Sequence, residues 1–336
     1  MKVYVSYIVI SIITIILSLA FLFYNNDKKE MYTTNLFYMD TYINVKIYDV
    51  DKDLKDKAFD NIDKIYKRYH ELSDRYNQYE NIKNIYYINN TLAINTELTI
   101  DKELYDLIDY SLSFCKDSNG LLNIAMGNVI DVWKSYRDGV KEGIPSIDEL
   151  KDNNVNLNDL VLLDNNKILK KSNISLDLGA FAKGYATEMV GRYLESINID
   201  KYIINAGGNV KVGKHYDNKT YKIGLQKPTK DSEIYKVVNG NNIAVTTSGS
   251  YERFYEYNGE IYHHIIDPTT LFPPKYMLSV SVITNDSRYA DALDTMLFLM
   301  PIDEGLVYVN KLDNVEAIWF TNDSKVIKSE GFNKYE

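Results

Sequence analysis

A single cysteine in 336 residues, Cys115, excludes any intramolecular disulfide. It lies in the apolar-periodic stretch Leu104 to Cys115 and reads as a buried structural thiol rather than a nucleophile. Basic blocks are missing too. The 38 Lys and Arg face 47 Asp and Glu for a net charge of -9, no segment could track a phosphate backbone, and nucleic acid is not an expected partner. No fixed-period repeat is present. Charge itself is absent from Val3 to Tyr24, a run that as a helix is about 33 Å long against a bilayer core of about 30 Å. The run exceeds the apolar region of about 7 to 15 residues in a cleaved signal peptide, no clear A-x-A site follows it, and no following cysteine offers a lipid attachment point. An uncleaved single-pass membrane anchor is therefore expected in residues 1–30, which include the polar joint Asn25 to Glu30. Lys2 on one side and Asp27, Lys28, Lys29 and Glu30 on the other do not set its orientation. The 30 tyrosines accompany abundant Asn, Ile and Lys, read as a coding bias, and carry no functional weight.

What is there suffices for an enzyme, as one large domain or two small lobes. Tyr42 to Tyr48 alternates, with Ile43, Val45 and Ile47 on one face of a half-buried strand. Leu54, Ala58, Ile62, Ile65, Tyr69 and Leu72 then mark a long amphipathic helix ending near "SDRYNQYEN". A second helix is expected over Asp101 to Cys115, stopped by the turn signal Lys116 to Gly120. Lys141 to Asn173 reads as polar and loop-like. "ISLDLG" reads as a strand feeding a helix from Ala180 to about Leu194, and "KYIIN" as a strand ending in Ala206 to Gly208. Asn258-Gly259 between two strand-like runs predicts a type I′ hairpin, "LSVSVIT" a further strand, and Asn322-Asp323 the turn of a final hairpin. Strands interspersed with helices and joined partly by hairpins indicate α+β rather than a doubly wound parallel sheet.

Four stretches carry possible chemistry. In "ADALDT", Asp291, Asp294 and Thr295 stand at i, i+3 and i+4, so on a helix their oxygens converge and form an all-oxygen set suited to Mg²⁺. The alternative is a helix N-terminus whose acidic residues complement the dipole. "SLDLGAFAKGYATE" makes a narrow strand-to-helix corner with Lys183, suited to an anionic ligand or simply to tight helix packing. It is neither a Walker loop nor a G-x-G-x-x-G fingerprint. "NAGGNVKVG" and the segment holding Ser248, Ser250, Arg253, His264 and Asp267 add glycines for close approach and a histidine at a strand end, functional or structural.

The order of these blocks is more specific than any one of them. "YMDT", "LLNIAMGNVIDVW", "SLDLGAFAKGYATE", "INAGGNV", "AVTTSGSYERF", "HHIIDP" and "SVSVITNDSRYADALDT" together resemble the ApbE family of FAD:protein FMN transferases, from about residue 36 to about residue 320. The resemblance implies a T-fold-like α+β catalytic domain over 31–336, with mixed or antiparallel sheets and packed helices. It implies a Mg²⁺-dependent transferase that cleaves FAD, attaches FMN by a phosphoester to a Thr or Ser of a partner flavoprotein, and releases AMP. Position by position it implies Ala180, through its backbone carbonyl, with Asp291, Asp294 and Thr295 at the metal. It places FAD against Met39, Leu121, Leu122, Asn123, Asp177, Lys183 and Ile266, and gives acid/base or orienting work to His264, or to an aspartate such as Asp294. It further implies an extracytoplasmic domain serving membrane electron-transfer flavoproteins. The chain departs from the family's usual pattern at Asn123, Ala125 and Asn128, where Asp, Thr and Pro are commoner. Two other functions fit the same residues: an FAD pyrophosphatase releasing FMN and AMP, and a membrane-tethered flavin-binding protein without turnover. A tyrosine-rich adhesive domain is a weaker third.

Overall fold

The computed structural model describes residues 30–229 and 233–336. The apolar run Val3 to Tyr24 lies outside the described residues, and among those described no helix is long and apolar enough to cross a membrane.

The alternating strand forms as expected, as the second arm of a hairpin. β1 (Met31–Tyr38) pairs with β2 (Thr41–Tyr48), and Ile43, Val45 and Ile47 point into the core with at most 1% exposure. α1 (Lys52–Ser73) follows, capped by the Asp51 carboxylate on Leu54 N–H, and buries Ala58, Ile62, Tyr66, Tyr69 and Leu72 at three- and four-residue steps. Next come α2 (Ile85–Asn90), β3 (Leu98–Thr99), α3 (Lys102–Asp117) and α4 (Gly127–Arg137). Cys115 is fully buried on α3 and its thiol is pushed up to about 12 by burial, as an inert structural group.

Lys141 to Asn173 is more ordered than its polarity suggests. It holds α5 (Ile147–Lys151) and the strands β4 (Leu160–Leu163) and β5 (Lys167–Lys170), which form a small sheet in the order β3-β5-β4. Strands of four residues are too short for a period to register. "ISLDLG" is not a ladder strand: Ser175 makes one isolated bridge with Met126, and the rest is a buried extended segment. Its peptide groups are satisfied from outside a sheet. Asn89 Oδ1 accepts from Leu176 N–H at 2.7 Å, Asn89 Nδ2 donates to Leu176 O at 2.9 Å, and Asp177 N–H donates to Ile124 O at 2.8 Å.

α6 (Ala182–Ser196) then leads to β6 (Tyr202–Ala206) and β7 (Asn209–Val212), to the hairpin β8 (Tyr221–Gln226) and β9 (Ile234–Gly240), and to β10 (Ile243–Gly249). The hairpin β11 (Phe254–Tyr257) and β12 (Glu260–His263) turns at Asn258-Gly259 with φ of 52° and 78°, the type I′ geometry expected. β13 (Ser279–Thr284), α7 (Ser287–Phe298), α8 (Ile302–Val309), β14 (Glu316–Phe320) and β15 (Val326–Lys328) complete the order.

The main sheet is antiparallel throughout, in the order β1-β2-β6-β7-β10-β13-β14-β15. Its alternating residues feed two cores. Val45, Ile204, Ala244, Val282 and Trp319 face the helices, while Val212, Val245, Ile283 and Ile318 face the β8–β9 hairpin. The antiparallel course brings the Met39-Asp40 turn, the Gly207-Gly208 turn, the end of β10 and the start of β13 to one end of the sheet.

Candidate active site

The carboxylates of "ADALDT" are not dipole-complementing residues of a first turn. Asp286 is the cap of α7, accepting from Arg288 N–H at 2.9 Å, so Asp291 and Asp294 lie in the helix body with 6% and 1% exposure. What lets them sit there is a close helix crossing. A Cβ at Gly184 of α6 would lie 2.5 Å from Ser287 O and against Asp291, and in its absence Gly184 N–H donates to Asp291 Oδ2 at 2.8 Å. Asp294 Oδ1 accepts from Ser248 Oγ of β10 at 2.9 Å and from Thr295 Oγ1 at 3.2 Å. Burial, and then the Asp291 carboxylate, push Asp294 well above the usual carboxylate range, while Thr246, Ser248 and Lys183 offset part of the effect. Among the described residues neither Asp291 nor Asp294 has a salt-bridge partner within 4.0 Å. The buried Thr246 hydroxyl faces the same carboxylate.

These features fit a small divalent cation. Two buried carboxylates and the hydroxyls of Thr246, Ser248 and Thr295 form an oxygen-rich cluster whose negative charge no ion pair among the described residues matches. Among the described residues no group of three or more His, Cys, Asp or Glu gathers, so remaining ligands would be hydroxyl, carbonyl or water oxygens. Ala180, in the turn before α6, can offer only a backbone oxygen.

The corner preceding α6 is held from behind. Asp177 Oδ1 accepts from Gly179 N–H at 2.8 Å, while Asp177 Oδ2 pairs with Arg75 at 3.3 Å. Arg75 is 9% exposed and also pairs with Asp131 at 2.7 Å, tying the end of α1 to α4. Leu121, Leu122 and Asn123 lie next to this corner, in the α3–α4 connection that receives Asp177 N–H through Ile124 O. Leu122 is buried. Asn123 is engaged internally, since Nδ2 donates to Val155 O at 2.8 Å and Oδ1 accepts from Ala125 N–H at 2.8 Å. An aspartate could make only the second bond.

His264 follows β12 and lines a small cleft with Ile130, Trp133, Arg137, Tyr255, Tyr262 and Ile266. Burial, then the charges of Arg253, His263, Lys183 and Arg137, push its pKa down to about 3, so the imidazole is neutral near pH 7, and its Nδ1 has no partner among the described residues. Lys183 acts on both His264 and Asp294, which places all three in one electrostatic neighbourhood. Met39 stands at the β1–β2 turn, where its neighbour Asp40 faces Arg253 at 4.0 Å. The sequence reading left out Arg75, and it did not connect Ser248 to Asp294. An arginine just past the end of an amphipathic helix was the available signal for the first; the second needs the fold.

The ApbE family's sequence profile matches residues 39–319. The chain is 28% identical over 310 residues to a FAD:protein FMN transferase of Klebsiella pneumoniae (strain 342), covering 90% of this chain and 93% of that protein. It is 30% identical over 262 residues to one of Treponema pallidum (strain Nichols), 72% of each. Among solved structures, the ApbE protein of Thermotoga maritima matches with a TM-score of 0.83 at 24% identity, over 91% of this chain and 99% of that one. Flavin transferase ApbE of Vibrio cholerae gives 0.77 at 21% identity, over 92% and 100%. These two share the fold. Because the profile match runs from the Met39 turn through the corner, the histidine and the α7 carboxylates, this chain belongs to the ApbE family.

Proposed function

We propose that the protein is a FAD:protein FMN transferase that moves FMN from FAD to a threonine or serine hydroxyl of a partner flavoprotein. The observation that carries this reading is the buried Asp291–Asp294 pair, set at a glycine-narrowed crossing with neutral donors and no ion-pair partner among the described residues, in the electrostatic neighbourhood of Lys183, which also acts on a neutral His264. Asp291, Asp294 and Thr295 would hold Mg²⁺, with Ala180 O as a further donor. Bound there, the ion would supply positive charge against the pyrophosphate oxygens.

The chain's own residues do the rest. Lys183, at the start of α6, neutralises phosphoryl charge. Met39, Leu121, Leu122, Asn123, Asp177 and Ile266 surround the flavin nucleotide, with Asn123 shaping its loop rather than reaching out. The acceptor oxygen bonds to the FMN phosphorus, the bond from that phosphorus to the bridging oxygen breaks, and AMP leaves with the electron pair. His264 in its neutral form accepts a hydrogen bond from the incoming hydroxyl. The negative charge of FAD offsets the cations that depress its basicity, which lets it hold the released proton. Catalysis is then mainly positioning and electrostatics.

In this reading residues 31–336 form one catalytic domain. Residues 1–30 tether it to the cell membrane facing outward, where membrane electron-transfer flavoproteins offer acceptor hydroxyls; a reporter fused after Glu30 reads that orientation. The reaction is tested by incubating the full chain with FAD, Mg²⁺ and an acceptor flavodomain. Flavin fluorescence staying on the acceptor through denaturing electrophoresis supports transfer. Free FMN and AMP with an unlabelled acceptor would establish a pyrophosphatase instead, and FAD bound without products a binding protein.

A further inference from the structure

A two-residue hairpin turn with both residues at positive φ normally recruits Asn, Asp or Gly. The β1–β2 turn instead carries Met39 at φ 52°, followed by Asp40 at φ 56°. A methionine in the left-handed region is strained and persists only where its surroundings hold it. Here a chain of hydrogen bonds ends on the turn's own peptide group. Asp74 is partly buried, which opposes its charge, yet Asn77, the Tyr76 amide and Tyr79 hold its carboxylate below the usual range. A carboxylate only accepts, so Tyr79 donates its hydroxyl proton to Asp74 Oδ2 at 2.8 Å. The Tyr79 oxygen is left to accept from His70 Nε2 at 3.2 Å. That fixes the ring proton on Nε2 and presents the Nδ1 lone pair to Met39 N–H at 3.3 Å. The Tyr38 ring packs on His70 with centroids 5.7 Å apart, and its hydroxyl is tied to Asp63 at 2.8 Å.

We propose that Asp74, Tyr79 and His70 form a positioning relay that sets the His70 tautomer and so locks the Met39 turn in the shape that receives FAD. The inference rests on Met39 being a flavin contact. His70 is a positioning residue, and the direction of its hydrogen bonds matters more than its bulk.

Titration of FAD into the full chain with Mg²⁺, followed by flavin fluorescence beside the thermal unfolding midpoint, tests the relay. Asparagine places an acceptor near the position of Nδ1, whereas glutamine reaches the position of Nε2 only. His70→Gln is expected to weaken FAD binding about tenfold, and His70→Asn to stay within about twofold of the unaltered chain, with the two variants unfolding at similar temperatures. Tyr79→Phe frees the tautomer and weakens binding about threefold, but adds nothing in the His70→Gln background. Equal losses from Asn and Gln would overturn the relay, as would unaltered affinity in His70→Gln while Met39→Ala binds FAD poorly. If Met39→Ala also binds normally, the flavin-contact reading falls and this inference with it. Should His70→Gln fail to fold, Tyr79→Phe decides alone: unaltered affinity there overturns the proposal.

Discussion

Two charged clusters occupy the same pair of crossing helices, one helical turn apart, and they are built on opposite rules. Glu188 on α6 is 5% exposed and fully matched: Lys211 reaches it at 2.9 Å, Arg192 at 3.1 Å and Ser287 N–H at 2.9 Å. Lys211, equally buried, also donates to Asn285 O at 3.1 Å. Asp291 and Asp294 are just as enclosed, yet their donors are neutral and their nearest strong charge is each other. Matched charge clamps α6 to the start of α7. Unmatched charge one turn later is a cost that folding alone does not justify, and it is what supports the proposed cation site.

The largest test of this contrast is Glu188→Ala, which strands the buried Lys211 ammonium and should lower the unfolding free energy by about 3–5 kcal/mol in urea titration. A smaller loss would mean that the network is less matched than it looks. Gly184→Ala attacks the junction of the two clusters. Its new methyl meets Ser287 O and Asp291, pries α6 from α7, and is expected to cost about 1–3 kcal/mol; divalent-cation affinity should fall with it, and calorimetric titration reads that fall. Away from the crossing, Asn123→Asp replaces a donor to Val155 O with a carboxylate that faces a carbonyl, a loss of about 1–2 kcal/mol in the same urea assay. The smallest effect belongs to His264. Its folded pKa of about 3 lies below the usual 6.5, so the unfolded chain takes the proton first, and stability present above pH 6.5 is lost as pH falls toward 3. His264→Gln should flatten that limb of the stability profile by on the order of 1 kcal/mol at pH 5, discounted for the ring's partial exposure.

Local spacing made some of this legible. Asp291, Asp294 and Thr295 were readable as one face because helical period is a property of neighbours, and Asn258-Gly259 named its turn because few residues accept that backbone. The burial of the carboxylates was harder to read. Taking them for a first turn ignores Asp286, whose capping role places the helix start further back. Pairings between distant segments were not legible at all: Ser248 meets Asp294 across 46 positions, and Glu188 meets Lys211 only because β7 passes beside α6. "ISLDLG" misled for a related reason. Its apolar pattern reports burial, but its hydrogen bonds go to Asn89 and Ile124 rather than to neighbouring strands.

The central claim is that the unmatched pair on α7 holds a divalent cation, and Mn²⁺ reports it most directly, through the loss of the free-ion EPR signal as the full chain is added. The expected result is Mn²⁺ binding that Mg²⁺ displaces and that Asp294→Asn abolishes, while the metal-free variant melts no lower than the unaltered chain because a neutral amide relieves the repulsion with Asp291. Equal Mn²⁺ binding by both chains, or none by either with FAD present, would contradict it.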